Sequence, residues 1–275
     1  MSATIKLSSP ATREFWEIPV LFEDEHLLAL DKPIGLPAGP ERGEAERLNL
    51  LQLLHTAIAE GKPWARERAL TYLMATQRLD ADASGVLLLA KSKAALTAVL
   101  NWAGAGAPGR KFVALTGGSK PEDTFTVEAK IAPHQLHRDQ MRVDAQRGKR
   151  SSTVCRVLER FARHTLVECE TLTDRQHQVR VHLRYAHLPV AGDALYGGPP
   201  LLLSSLKPNF RLKPNHTERP LLGRAAVHAS ELTLPHPVTG QTLTIASPWP
   251  KDLRVALKYL RMYAAEGQKS ESGSV

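Results

Sequence analysis

The chain is poor in the features that mark several function classes. Of its 275 residues only two are cysteine, Cys155 and Cys169, too few for a disulfide framework and typical of a reducing compartment. No apolar run approaches the ~20 residues of a membrane-spanning helix. The opening residues, MSATIKLSSPATREFWE, lack an apolar core followed by a small-residue cleavage site, so no signal peptide is expected and the protein is placed in the cytoplasm. Aromatic residues make up 5%, too few for a platform on which bases stack. His177, His182 and His187 recur every five residues, which turns them progressively around a helix. With no cysteine pair nearby, no metal site is expected. Ser84 has Asp82 and Val86 two positions to either side, where a serine nucleophile elbow needs glycines. No internal repeat is apparent.

What the chain does have is positive charge. Lysine and arginine number 36 against 28 acids, a formal +8, with an isoelectric point near 9.6. Such an excess points to a polyanion, nucleic acid above all. At 43% hydrophobic and 23% charged the composition is otherwise that of an ordinary globular domain.

Residues 1–17 are polar and unpatterned and read as an extended arm. VLFEDEHLLALDKP then reads as two strands around an acidic turn, stopped by Pro33 and Gly35. RLNLLQLLHTAIAEGKP has helical spacing, and Gly61 and Pro63 end it. An aliphatic strand follows at Val86–Ala90, then a helix in KAALTAVLNWA, a Gly/Ala/Pro loop at 103–109 and a strand in KFVALTGG. From 123 to 171 the pattern is β. TFTVEAKI alternates like a half-buried strand, and STVCRVLERFARHTLVECET reads as a hairpin turning near Ala162, with Cys155 and Cys169 opposite each other as small core residues. DRQHQVRVHLRYAHLP is helical up to Pro189, VHASELTLPHPVTGQTLTIASP is a hairpin, and PKDLRVALKYLRMYAA is an amphipathic helix. Residues 266–275 are expected to be disordered. Strands with interspersed helices and no βαβ rhythm predict an α+β fold around a largely antiparallel mixed sheet with flanking helices. One domain is expected over residues 18–265.

The chemistry concentrates in QRLDADASGVLLLAKS, where Arg78, Asp80, Asp82 and Ser84 stand at the mouth of a buried strand. Asp82, Ser84 and Gly85 suit a tight turn. Asp80 beside Arg78 suits an ionised, oriented acid, or a turn former. An Asp80/Asp82 pair is also the minimum for a carbohydrate hydrolase. Further along, HQLHRDQMRVDAQRGKR carries Arg138, Arg142, Arg147, Lys149 and Arg150 against two acids, a run able to grip phosphates.

QRLDADASGVLLLAKS resembles the His-Arg-Leu-Asp-x-x-Thr-Ser-Gly-Leu-Leu-Leu-x-Ala-Lys signature of the RluA family of pseudouridine synthases. In the same order, VLFEDEHLLALDKPIGLPA resembles that family's opening strand pair with its Lys-Pro-x-Gly, and GRKFVAL its Lys-x-Tyr-x-Ala segment. TLTDRQHQVRVHLRYAHLPVAGDALYGG is similar to its Thr-Gly-Arg-Thr-His-Gln-Ile-Arg-Val-His block with the Gly-Asp-x-x-Tyr-Gly that follows, and VHASELTLPHPVTG to its closing hairpin. These five ordered blocks span about residues 18–255.

The resemblance implies the pseudouridine-synthase fold and isomerisation of uridine in ribosomal or transfer RNA, without metal or cofactor, by a catalytic domain lacking an appended RNA-binding domain. By match, Asp80 is the essential aspartate and Arg180 its charge partner. Arg78 fills the space of the flipped-out nucleotide, and Arg175 and His177 contact RNA. Several positions depart from the pattern, Gln176 in place of a threonine among them. Gln77 replaces histidine, Ala83 threonine and Asp174 glycine, and Phe112 replaces a tyrosine, keeping the ring but losing the hydroxyl. The alternative expectation is an RNA-binding protein that kept the fold without turnover. RNA is the expected partner and a monomer the expected state.

Overall fold

A computed structural model of the protein describes residues 3–10, 12–40, 47–104, 109–213 and 215–265. In chain order the elements are β1 (Thr4–Ser9), β2 (Glu14–Glu23), β3 (Leu27–Lys32), α1 (Leu50–Ala59), α2 (Pro63–Glu67), β4 (Met74–Ala75), β5 (Ser84–Ala90) and α3 (Lys93–Gly104). They continue with β6 (Arg110–Gly117), β7 (Thr124–Glu128), β8 (Ile131–Pro133), β9 (Met141–Val143), β10 (Ser152–Arg160), β11 (His164–Thr171), α4 (Gln178–Tyr185), β12 (Val227–Pro235), β13 (Thr242–Ala246) and α5 (Lys251–Tyr263). One large sheet runs β1-β2-β3-β5-β12-β6-β11-β10-β7, with β13 on β12 and β4 on β5. Its pairs are antiparallel apart from β5 with β12, which run parallel through His228↔Ser84 and Ala229↔Gly85. The hairpin β8–β9 stands off this sheet.

The charge-free run of β5 follows from where it sits. It lies between β3 and β12, and all seven of its residues are buried. Leu87 and Leu89 point into the main core with Leu28, Leu30 and the α5 residues Leu253 and Leu257. Val86 and Leu88 point the other way, to Leu27, Ala29 and Val99 of α3. A strand covered on both faces has no position for a charged side chain, so the alternation seen in half-buried strands disappears. Each fully buried leucine contributes about 1.5–3 kcal/mol.

Most strands and helices expected from pattern are present, including the turn between β10 and β11 and the pairing of Cys155 with Cys169 in register. The strand expected over TFTVEAKI instead breaks after Glu128, and Ile131 begins β8 of the separate hairpin. Both cysteines are free thiols, with sulfurs 3.6 Å apart. The expected arm is different. Residues 4–9 form β1 and pair with the first half of β2 from Thr4↔Pro19 to Ser9↔Glu14, and Ile5, Leu7 and Ile18 are buried. The inward face of β1 is Ile5, Leu7 and Ser9. Only two apolar residues mark it, so the period of two stayed below notice. The tail 266–275, residues 1, 2 and 11, and residues 105–108 of the Gly/Ala/Pro loop lie outside the described residues.

Gly85 makes the parallel pairing possible. Its φ is +110°, and a Cβ there would sit 2.1 Å from the carbonyl oxygen of Ala229 on β12. Gly85→Ala is therefore expected to cost about 2–4 kcal/mol, from backbone strain plus overpacking. Urea unfolding would read this as a lowered midpoint with an unchanged slope.

Candidate active site

The segment from Gln77 to Ala83 leads from β4 into β5, and its backbone is held from three sides. Lys32, at the end of β3 and 0% exposed, donates from Nζ to the carbonyls of Pro33, Leu36 and Ala81 at 2.8, 2.7 and 3.3 Å. The Gly35 N–H also donates to Ala81, at 2.9 Å. From the far side Arg224 donates to the Asp82 carbonyl at 3.2 Å, while Asp252 engages the same guanidinium. Ser84, next in line, is 3.0 Å from Nδ1 of buried His228 on β12. Gln77, in place of a histidine, donates to the Val86 carbonyl at 3.2 Å and accepts from the Thr76 hydroxyl at 2.9 Å. It thus braces the turn.

Within this frame Asp80 meets Arg180 of α4. Nη1 of Arg180 donates to Oδ2 of Asp80 at 3.3 Å, and Nη2 lies 3.9 Å from Oδ2 of Asp82. The strongest partner of Arg180 is neither of these. Asp193 takes Nε and Nη2 in a two-pronged pair at 2.7 Å each, and its side chain is 1% exposed. The expected Arg180–Asp80 pairing is therefore the weaker of two. Asp193 anchors the guanidinium and leaves one edge for Asp80. Burial works against the charge of Arg180, but the hydrogen bonds of Asp193 and the charges of Asp80 and Asp193 outweigh it and raise its pKa. Asp193 stands in the GDALYGG stretch, 13 residues beyond Arg180, a separation that carries no local pattern. Asp80 and Asp82 turn toward one guanidinium instead of facing each other across a sugar-sized gap.

Arg78, Asp80, Phe112, Arg175, His177 and Arg180 all line one open cleft of about 430 Å³. Phe112 is on β6, flanked by Ala229 of β12 and Cys169 of β11, and packs against the main core. Asp174, where a glycine was expected, pairs with Arg110 at 2.9 Å on the rim of the cleft. The left-handed residue of this loop is His177, with φ 56°, and Asp174 has no positive φ. Position 174 therefore makes no demand for glycine. Arg175 is drawn into closing the loop, donating from Nε to the Arg150 carbonyl at 3.2 Å.

His177 turns inward. Its Nδ1 is 2.7 Å from the hydroxyl of Tyr196, and its Nε2 is 3.9 Å from Oδ1 of Asp80. Burial lowers the pKa of His177, against the opposing pull of Asp80. Tyr196, which the sequence reading passed over, is buried, and burial raises its pKa. His182 is buried against Thr153 and Ser151, and His187 is exposed, so the three spaced histidines disperse. Among the described residues no three His, Cys, Asp or Glu side chains gather as metal ligands would.

Arg138, Arg142, Arg147, Lys149 and Arg150 lie outside the cleft lining. Arg138 is exposed in the turn of the β8–β9 hairpin, next to Leu136, which is 84% exposed. Arg147, Lys149 and Arg150 are exposed beyond β9. Arg142 is committed to Asp144 at 2.6 Å. A second basic surface was missed. Between Leu201 and Leu222, both buried, a long irregular segment exposes Lys207, Arg211, Lys213 and Arg219. Its acid, Glu218, is occupied by the Ser204 N–H at 2.8 Å. The signal was the excess of basic over acidic residues in LKPNFRLKPNHTER.

Comparison with known proteins agrees with this geometry. The family model described as RNA pseudouridylate synthase matches residues 26–185. The ribosomal large subunit pseudouridine synthase D of Nitrosomonas europaea is 36% identical over 245 residues, 89% of this chain and 65% of that protein. The corresponding synthase D of Pseudomonas aeruginosa is 34% identical, over 89% of this chain and 72% of its own length. Synthase C of Salmonella typhi is 33% identical, over 89% and 70%. The chain thus spans about two thirds of the length of these relatives. The solved structure of human RNA Pseudouridylate Synthase Domain Containing 4 superposes with a TM-score of 0.65 at 22% identity, covering 88% of this chain and 92% of that one. The chain belongs to the RNA pseudouridylate synthase family, whose members convert uridine in RNA to pseudouridine, and within it to the RluA group. The α+β sheet is that family's fold.

His177, His182 and His228 share one consequence. Burial leads the causes that lower each pKa. The unfolded chain therefore binds more protons than the folded one below its ordinary histidine range near 6.5. Their titration leaves stability unchanged well above 6.5 and destabilises the fold increasingly as pH falls through 6.5. Urea midpoints measured between pH 8 and pH 5 are expected to hold and then drop, and His182→Asn should flatten the drop.

Proposed function

We propose that this chain isomerises uridine in large-subunit ribosomal RNA to pseudouridine, with Asp80 as its catalytic carboxylate. The observation that carries the proposal is the setting of Asp80. Its side chain is 20% exposed, it opens into the cleft, and Arg180, itself anchored by Asp193, holds one of its oxygens. In the reaction the C1′–N1 bond of the nucleotide breaks, the base turns, and C1′ bonds to C5. The proton on C5 leaves and N1 gains one, so nothing is oxidised or reduced and no cofactor is called for. Arg78, exposed on the rim, takes the place of the extruded nucleotide. Arg180 keeps Asp80 charged and aimed, and Phe112 lies against the base. The ribosomal substrate rests on the names of the bacterial relatives. The enzyme works as a monomer in the cytoplasm, where its two buried thiols stay reduced.

Tritium release from RNA labelled at uridine C5, taken from cells lacking this protein, tests the reading. Wild type is expected to release label and Asp80→Asn to lose at least about 10²-fold. A faster Phe112→Tyr would show that removal of the C5 proton limits turnover. Label retained by every variant, with RNA still held on a filter, would favour the non-catalytic RNA-binding alternative.

The phosphate grip is proposed to come from Arg138, Arg147, Lys149 and Arg150 beside the hairpin, with Arg175 behind them, and from the cations of residues 207–219. Arg142 and His177, engaged by Asp144 and Tyr196, are left out of it. Changing Arg138, Arg147 and Lys149 together to glutamine should flatten the slope of log affinity against log salt by about 2–3. At saturating RNA the rate should stay the same, which filter binding and single-turnover assays would check in parallel.

A further inference from the structure

The hairpin β8–β9 is not hydrogen-bonded into the main sheet, yet it is wired to the cleft through one side chain. Ile131 of β8, Val181 of α4 and Tyr196 form a small buried cluster of their own, with Met141, Val143 and Leu195 packed against it. At its centre the Tyr196 hydroxyl accepts from the backbone N–H of Met141 on β9 at 2.8 Å. The same oxygen is 2.7 Å from Nδ1 of His177. A hydroxyl that accepts from Met141 and donates to Nδ1 satisfies all three groups. In that arrangement His177 carries its proton on Nε2, the nitrogen 3.9 Å from Oδ1 of Asp80. The tyrosine ring also lies edge-on to His177 with centroids 5.7 Å apart, and under the guanidinium of Arg180 at 5.0 Å.

We infer that Tyr196 and His177 are positioning residues that carry the seating of the β8–β9 hairpin to the catalytic carboxylate. Arg180 addresses one oxygen of Asp80 and the Nε2–H of His177 faces the other. The tautomer that makes this possible is set by a hydroxyl whose own orientation is fixed by the hairpin backbone. The inference rests on Asp80 being the catalytic group.

Two variants and two readouts test it. Tyr196→Phe keeps the ring and removes the hydroxyl. His177→Asn removes the imidazole with a residue that tolerates the left-handed backbone of position 177. Long-range nitrogen-15 NMR of the histidines in wild type should show His177 as the Nε2–H tautomer, and Tyr196→Phe should lose that preference. In the C5 release assay each variant should lower kcat about tenfold to a hundredfold. KM for RNA should stay within about twofold, and the double variant should be no worse than the poorer single one. A wild-type kcat in either variant, a loss confined to KM, additive losses, or an Nδ1–H tautomer in wild type would each overturn the relay. The tautomer reading does not depend on turnover. An active Asp80→Asn would instead overturn the reading beneath it, so the two failures are distinguishable. If Tyr196→Phe does not fold, judged by circular dichroism, the wild-type tautomer and His177→Asn still decide.

Discussion

The site depends on one buried guanidinium. Arg180, with a side chain 6% exposed, has two nitrogens committed to Asp193 and a third turned to Asp80. Taking an arginine out of water costs several kcal/mol unless its donors are paired. The Asp193 pair offsets that cost and fixes the plane of the fork, so the remaining edge addresses Asp80 in a set direction. A lysine at position 180 would keep the charge and lose this geometry, because a single ammonium has no second face to clamp. The aim of Asp80 is therefore set by a residue outside the cleft lining.

The sheet supplies the rest of the placement. Asp80 precedes β5, Phe112 lies on β6, and β12 joins the two strands. The acid, the ring and the arginine of α4 come from three separate stretches, and their spacing is as fixed as the core beneath them. Buried Lys32 and Arg224 use their charge on backbone carbonyls. Both are structural cations in a basic protein, and neither is available to phosphate.

Much of this was legible in the sequence. The unbroken apolar run of β5 signalled a strand covered on both faces, and the ordered motifs picked out Asp80, Arg180 and Phe112, which the fold brings into one cleft. What escaped had a physical reason. Asp193 and Tyr196 fall within the matched Gly-Asp-x-x-Tyr-Gly block, but their roles act across a turn after α4, where no periodicity links them to Arg180 or His177. β1 presents only Ile5 and Leu7 to the core, too short an alternation to stand out from a polar arm. His177, expected to contact RNA, instead has its ring turned inward to Tyr196 from a left-handed backbone. The cations between residues 207 and 219 were diluted among prolines and asparagines.

The parallel pairing of β5 with β12 has a consequence for how the chain comes off the ribosome. Ser84 and its contact His228 are 144 residues apart, so the start of β5, at Ser84 and Gly85, has no partner on that edge until β12 has been made. Pairing across such a separation carries a large loop-closure cost and is slow. In the meantime the exposed edge invites association with other nascent chains. The cleft cannot exist in any earlier fragment, because the strand that joins its acid to its ring is the last but one to be synthesised. The acid before β5 and the ring on β6 are therefore brought together only once β12 has been made.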